Sequence, residues 1–321
     1  MLVMFREKIN VHNKRKLMSK NGQMAMFLAR EFINYNEGDR IRTIGEYASS
    51  FSTGRGTVQS AMKFLDEEKA VKLESRGHLG TFIRSIDYKK LWRISDFGVI
   101  MGVMPLPYSK RYEGLATGLY KAFEKADIPF SLAFMRGAEQ RIQALGMGRY
   151  DFTITSKLAA IHEKMRFPYI EELHVFGPGS YVGNHIILFK DDHVKEIEDG
   201  MRVGIDTTSP DQFLLTRHEC EGKNVEYVET SYGQIVEKLR TNEIDAAVWS
   251  EDEIKEKDLD FNMQPLKNPR TIEANKCDTM AAMVIDKGNA ELKSIIKRLI
   301  NLEDIEKIQK LVVEKQIIPM Y

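Results

Sequence analysis

The chain has 321 residues, 43% hydrophobic and 29% charged, with 47 Lys/Arg balanced by 47 Asp/Glu. That length suits two or three domains of an ordinary globular protein. Two cysteines, Cys220 and Cys277, are too few for a disulfide framework, and no apolar run reaches about 18 residues, which excludes a membrane-spanning helix. A single Cys220–Cys277 bridge stays open. Met1 to Phe5 runs at once into Arg6, Glu7 and Lys8, without the apolar core of a signal peptide, so a cytoplasmic location is expected. Zero net charge alone argues against nucleic acid, but its distribution argues for it. Residues 1–90 hold 17 Lys/Arg against 10 Asp/Glu, a net +7, which leaves −7 for the remainder. A basic N-terminal part on an acidic body is expected of a DNA reader with a separate sensor.

In chain order, residues 1–19 are basic (Lys14, Arg15, Lys16) and read either as an arm or as a frayed tail. A helix is predicted from Ser19 to Tyr35, with Met24, Phe27, Leu28 and Ile33 inward. Thr43 then caps a second helix, where Ile44, Tyr47, Ala48 and Phe51 share a face. Ser52-Thr53-Gly54 is a turn, with Gly54 suited to a positive φ. A third helix follows from Arg55 to Glu68. Val58, Ala61, Met62 and Leu65 point inward, and Arg55, Thr57, Gln59 and Lys63 point outward. Residues 70–74 and 80–83 alternate as strands around the basic tip Ser75-Arg76-Gly77-His78-Leu79. Two helices on a tight turn, the second with a cationic leading edge, are what reading a major groove requires, and the hairpin suits a phosphate backbone or minor groove. The expected DNA contacts are Arg42, Thr43, Ser52, Thr53, Arg55, Thr57, Gln59, Arg76 and His78.

The run FSTGRGTVQSAMKFLDEEKAVKLESRGHLGTFI resembles the winged helix-turn-helix of the GntR family of bacterial regulators. Arg55, Thr57, Val58, Ala61, Leu65, Gly80, Thr81 and Phe82 carry the likeness. Gly54, Gln59 and Arg42 depart from the Ser, Arg and Pro usual there, so no operator sequence carries over. The resemblance spans about a quarter of the chain.

Residues 85–95 read as a short mixed connection, stiff because Gly and Pro are absent. From Phe97 strands alternate with helices. Strands are predicted at 99–103, 128–135, 151–156, 184–190, 201–206, 225–231, 245–250 and 277–286. Helices fall near 112–126, 137–148, 211 onward, 232–241, 289–302 and 303–315. Such spacing implies parallel sheets with right-handed crossovers. "LGMGRYDFTITS" and "LRTNEIDAAVWS" echo each other. The pattern resembles the type II periplasmic-binding-protein fold. It implies a winged helix-turn-helix over 1–87 and a two-lobed α/β domain over 88–321. Lobe one would take 88–178 and 286–321, and lobe two 190–276, with crossings near 180–190 and 277–285. The combination resembles the YhfZ family of helix-turn-helix regulators, which implies a role in transcription and no particular ligand.

Ligands of open α/β sheets sit beyond the carboxyl ends of strands. That rule selects Tyr108, Ser109, Arg111, Arg136 and Ser156 from lobe one. From lobe two it selects Thr207, Thr208, Ser209, Ser231 and Ser250, with Tyr181 near the crossing. Asp206 to Asp211, hydroxyls and amides at a helix start, suits an anion cradle, with Arg136 as the bidentate partner. The same hydroxyls would serve equally as plain helix caps. No catalytic or metal motif is present. Gly177-Pro178-Gly179-Ser180-Tyr181 is not a nucleophile elbow, because Pro178 and Val182 stand where glycines are needed. His218, Glu219 and Cys220 lack metal-ligand spacing and read as surface residues, and the acidic runs 251–258 and 303–306 as solvated helix faces.

The expectation is a cytoplasmic, non-enzymatic regulator, without cofactor or metal. It binds double-stranded DNA as a homodimer under control of a small anionic effector. Its rivals are a ligand-binding protein whose winged helix only dimerises and an enzyme on the two-lobed fold.

Overall fold

The computed structural model describes residues 18–321; the basic arm containing Lys14, Arg15 and Lys16 lies outside the described residues. The described chain packs as two compact units. The first takes the residues up to 100 with 122–131 and 288–301. The second takes 101–121, 132–287 and 302–321.

The first unit begins with α1 (Lys20–Phe32), capped by Ser19, whose Oγ accepts from the Gly22 amide at 3.1 Å. Met24, Leu28 and Phe32 recur every fourth residue and are buried. In α2 (Ile44–Ser50) a capping box closes the start: Thr43 and Glu46 satisfy each other's backbone amides. Helix α3 (Arg55–Glu67) buries Val58, Ala61, Met62 and Leu65. Strands β1 (Val71–Ser75) and β2 (Thr81–Ile86) pair antiparallel, and the wing tip Gly77–Leu79 is a single 3₁₀ turn.

Two expectations change here. The left-handed residue of the turn is Ser52 (φ 47), whereas Gly54 has φ −77 and opens α3. The amides of Ser52 and Thr53 donate back to Ser49 and Ala48, the bonding pattern that ends α2 in a Schellman motif. Residues 88–95 are helix α4 (Tyr88–Ser95), capped by Asp87, with Leu91 and Trp92 buried; Trp92 stacks on Phe97 at 4.7 Å. The apolar positions had helical spacing, but eight residues gave too short a period to stand out. Helix α12 of this unit, as numbered in chain order (Ala290–Leu299), supplies Arg298, which donates to the Tyr88 hydroxyl at 2.6 Å.

Two five-stranded sheets lie in the second unit except for residues 100, 130 and 131 of their strands. The elements before α12 are β3 (Ile100–Met104), α5 (Lys110–Lys125), β4 (Phe130–Phe134), α6 (Ala138–Gly146), β5 (Phe152–Ser156), α7 (Lys157–Lys164) and β6 (Ile170–Val175). They continue as β7 (His185–Phe189), β8 (Arg202–Ile205), α8 (Pro210–Glu219), β9 (Glu226–Glu229), α9 (Ile235–Arg240), β10 (Ala246–Ser250), α10 (Glu251–Glu256), β11 (Asn262–Pro265), α11 (Pro269–Asp278) and β12 (Ala281–Asp286). Helix α13 (Leu302–Val313) follows α12. The sheet orders are β4-β3-β5-β12-β6 and β11-β7-β10-β8-β9.

The sheets are mixed, where the spacing implied parallel ones. Strand β3 runs parallel to β5, and β8 to both β9 and β10. Strand β12 is antiparallel to β5 and β6, and β7 to β10 and β11. A helical crossover enforces parallel pairing, but β7 and β12 follow the two passages between sheets, which carry no such constraint. Cys277 and Asp278 belong to the end of α11, not to a strand, because Asn268 and Pro269 start a helix that runs through them.

Strand β7 is buried on both faces. Ile186 and Leu188 pack with Ala247 and Trp249 on one side; Ile187 and Phe189 pack with Val203 and Ala246 on the other. Helices α5 and α13 approach closely at two glycines. A Cβ on Gly118 would sit 2.6 Å from the Ile305 carbonyl oxygen, and one on Gly114 2.9 Å from that of Gln309.

Candidate ligand cavity and DNA-reading surface

On the winged helix, Arg55 and Gln59 are exposed and Thr57 is half-buried, all on the outer face of α3. Nothing lies within 4 Å of where a Cβ would stand on Gly54 or Gly56, so the start of α3 is open to close approach. Ser52 is exposed and Thr53 half-buried beside it, and His78 is exposed at the wing tip. Arg76 is half-exposed. It pairs with Glu74 at 3.2 Å and lies 4.6 Å from the centre of the Phe82 ring, an arrangement solvent and phosphate can readily exchange. Two expected DNA contacts are otherwise engaged. Thr43 uses its hydroxyl in the capping box. Arg42 pairs with Glu31, donates to Ser50 at 3.2 Å and lies 4.5 Å over the Tyr47 ring. Glu31 also accepts from the hydroxyls of Tyr47 (2.9 Å) and Tyr35 (3.2 Å). Burial, together with the Glu31 charge, pushes the Tyr47 hydroxyl's pKa upward. Arg42 is thus a clamp between α1 and α2. A lone Arg before a helix reads as a DNA contact only because its partner stands 11 residues earlier.

In the second unit a cavity of about 110 Å³ opens among the ends of β3, β4, β8 and β9 and the start of α8. Its lining includes the expected residues Tyr108, Arg136, Tyr181, Thr208, Ser209 and Ser231. Arg136 stands exposed at the rim, with Nε donating to the Tyr108 hydroxyl at 3.0 Å.

The other expected ligand contacts lie off the cavity. The Ser109 side chain is buried, with no partner for its Oγ among the described residues. Arg111 is an interlobe latch. Its Nε donates to both carboxylate oxygens of Asp252 at 3.0 Å, its Nη1 to the Gly179 carbonyl at 2.7 Å, and Asp252 also accepts from the Gly183 amide. Ser156 spans the same lobes, donating to Asp211 Oδ1 at 2.7 Å. Thr207 is exposed and bonds Glu229, and Ser250 is buried at the start of α10.

The anion cradle expected over 206–211 is filled by the protein's own carboxylates. Asp206 accepts from the Thr208 amide and hydroxyl and from the Tyr232 amide; Glu229 accepts from Thr207. A helix start attracts negative charge, and here neighbouring side chains supply it. The run 251–258 is a solvated face only over 255–258. Asp252 holds the latch, Glu253 is buried, and Glu256 accepts from the Lys110 amide. Cys220, expected at the surface, is buried, and both cysteines are free.

Five groups that sequence reasoning missed complete the cavity: Tyr112, Arg141, His185, Asp211 and Tyr232. Arg141 is 2% exposed; its Nη1 donates to the Met135 carbonyl at 2.9 Å, while its Nε has no partner among the described residues. Its signal was present in α6, an Arg inside the apolar stripe Ala138, Ile142, Leu145. His185 opens a strand whose five residues are all buried. Its Nδ1 lies 3.1 Å from Asp278 Oδ2 and 3.2 Å from Asn275 Oδ1. Burial opposes an imidazolium there, but the Asp278 carboxylate prevails and raises the pKa to about 9. Asp211 is 8% exposed, and burial, reinforced by Asp278, raises its pKa to about 7. Burial likewise pushes the Tyr112 and Tyr181 hydroxyls up, so these rings face the cavity neutral. Among the described residues no cluster of His, Cys, Asp or Glu has the makings of a metal site, and no helix is long and apolar enough to cross a membrane.

A winged helix-turn-helix and a two-lobed α/β body with a cavity between its sheets define a helix-turn-helix protein with a periplasmic-binding-protein-like domain. Residues 87–321 match the YhfZ C-terminal domain and residues 36–83 a helix-turn-helix domain; the chain belongs to the YhfZ family. It is 34% identical to the uncharacterized protein YhfZ of Escherichia coli K12 over 237 residues, 74% of this chain and 77% of that one. The crystal structure of YhfZ from Shigella flexneri superposes with a TM-score of 0.59 at 28% identity, covering 73% of this chain and 97% of that one. The periplasmic aliphatic sulphonate binding protein SsuA of E. coli shares the fold, with a TM-score of 0.53 at 13% identity over 68% and 75% of the two chains. Family and helix-turn-helix together support a DNA-binding regulator.

Proposed function

We propose that this protein is a cytoplasmic, dimeric transcriptional regulator of GntR-like type, whose grip on operator DNA is set by a small effector bearing an anionic group. The observation that carries the effector reading is Arg141, a guanidinium 2% exposed that lines the cavity with its Nε unpaired. A buried donor left idle costs about 1–3 kcal/mol, and a charged one more, so an oxyanion is the natural occupant. Arg136 at the rim adds a second positive charge. The exposed outer face of α3 and the wing supply the DNA contacts, chiefly Arg55, Thr57, Gln59, Arg76 and His78. Two copies are needed because one recognition helix offers few base edges, and useful specificity takes two half-sites.

The test is selection of bound genomic fragments by the full chain at about 150 mM salt, alongside Arg55→Ala. A few two-fold-symmetric sites, enriched by the parent and lost in the variant, would support the reading. Arg55→Ala and Arg76→Ala should each lower the salt slope of binding by about 1 if each meets a phosphate. Equal weak binding by parent and variants would favour a winged helix that serves dimerisation alone. Arg141→Gln should abolish the effector's influence on DNA affinity while leaving basal DNA binding in place.

A further inference from the structure

The cavity is lined by a buried guanidinium and a buried carboxyl that are not bonded to each other. Arg141 and Asp211 both line it, at 2% and 8% exposure. Neither forms an ion pair with the other: Arg141 is bound only through Nη1 to a carbonyl and through contact with the Tyr181 hydroxyl, and Asp211 only through Oδ1 to Ser156. Arg141 Nε is left without a partner among the described residues, and the Asp211 side chain is engaged through Oδ1 alone. Asp206, the other carboxylate of the lining, is fully engaged by three donors, and His185 turns its Nδ1 to Asp278. The buried part of the lining therefore offers a free guanidinium donor on Arg141 and a free carboxyl oxygen on Asp211, with Arg136 a second guanidinium at the rim.

An occupant with a single charge satisfies only half of this site. A bare anion on Arg141 would have to hold the Asp211 carboxyl protonated, and a bare cation at Asp211 would lie in the same cavity as the guanidinium; each leaves one of the two groups without a complementary partner. A molecule with both charges meets both. We propose that the cavity takes a small zwitterion of the α-amino-acid kind, its carboxylate on Arg141 and its ammonium on Asp211. This rests on the anion-binding reading of Arg141 above and narrows it to one chemical class.

Three further observations fit. Tyr108, Tyr112, Tyr181 and Tyr232 contribute to the lining, with Tyr232 backed by Trp249 stacked at 3.6 Å, and aromatic faces favour an ammonium. The volume of about 110 Å³ is roughly four times the ~30 Å³ share of one water, the scale of a small amino acid. Finally, the carboxyl of Asp211, raised to about 7, would be drawn to its ionised form by an ammonium, whereas a bare anion would hold it protonated. The first occupant releases protons on binding near neutral pH, and the second takes them up.

The experiment is calorimetric titration of the full chain with the common L-α-amino acids and with the matched 2-hydroxy acids, which keep the carboxylate and side chain but replace the ammonium by a hydroxyl. At least one amino acid should bind, about tenfold or more tighter than its hydroxy analogue, with proton release at pH 7 measured from buffers of different ionisation enthalpy. Asp211→Asn should erase that preference by weakening the amino acid alone, since Asn still accepts from Ser156; retained near-ultraviolet circular dichroism and DNA binding establish that it is folded. Arg141→Gln should lose both compounds. Hydroxy acids binding as well as amino acids, or an unchanged preference in Asp211→Asn, would overturn the zwitterion while leaving the anion reading intact. Binding of neither class overturns the zwitterion; if phosphate, sulfate and simple carboxylates also fail on the parent, the anion reading falls with it.

Discussion

His185 enters the fold as the first residue of a fully buried strand, and only Asp278, 3.1 Å away on α11, makes a charge tolerable there. The groups that bear on it are Asp278, Asp211 and Asn275. Its pKa lies near 9 in the folded chain against 6.5 for a free side chain, so the folded state holds this proton more tightly. The resulting stabilisation is complete below pH 6.5 and is lost as pH rises through 9. Melting temperature should therefore fall across that interval, and His185→Gln should flatten the fall. Arg42 makes the converse point. Its pairing with Glu31 and its position over Tyr47 predict that Arg42→Ala lowers stability by about 1–2 kcal/mol, read by denaturant unfolding. A DNA-contacting arginine would instead leave stability unchanged and lower DNA affinity. Neither His185 nor Arg42 was legible from the chain, because each is defined by a partner that folding brings to it. Arg141 stood in plain view within an apolar stripe, and that conflict between residue type and position is the signal worth reading in α6.

Helices were legible where caps and periodicity agreed. Thr43 with Glu46, and the stripe Val58, Ala61, Met62, Leu65, define α2 and α3 to within a residue. Not every short element was. Helices α4 and α7 and strand β6 span eight residues or fewer, and over that length periodicity separates an element from a loop only with a second signal such as the Thr43 cap of α2. Packing between elements is likewise hidden in the spacing Gly114-x-x-x-Gly118, which permits α5 to meet the α13 backbone. Gly118→Ala would press a methyl against the Ile305 carbonyl and should destabilise the chain by about 1–3 kcal/mol in denaturant unfolding, even though Ala is the better helix former.

In the two-lobed body as a whole, Arg111–Asp252, Ser156–Asp211 and Lys110–Glu256 are among the contacts that join the lobes around the cavity. Breaking the first should populate open forms. Arg111→Ala is expected to weaken effector binding on the order of tenfold, because only the closed fraction binds. Small-angle scattering of the unliganded variant should show a larger radius of gyration than the parent, and an unchanged radius would place the latch outside the closing motion.

The sequence by itself determined the winged helix, the alternation of strands and helices, the echo of two βα series and the uneven charge. Each depends on contacts a few residues apart or on side-chain type summed over a segment, which the order of residues encodes directly. Only the tertiary structure decided which polar groups remain free for a ligand. Asp206 and Arg111 look as available in the chain as Arg141 and Asp211, yet Asp206 is occupied by Thr208 and by the distant Tyr232 amide, and Arg111 by Asp252 and the Gly179 carbonyl, while Arg141 Nε has no partner and Asp211 is engaged through Oδ1 alone. A buried polar group's role is set by whatever partner the fold leaves within about 3 Å of it, and sequence proximity does not report that distance.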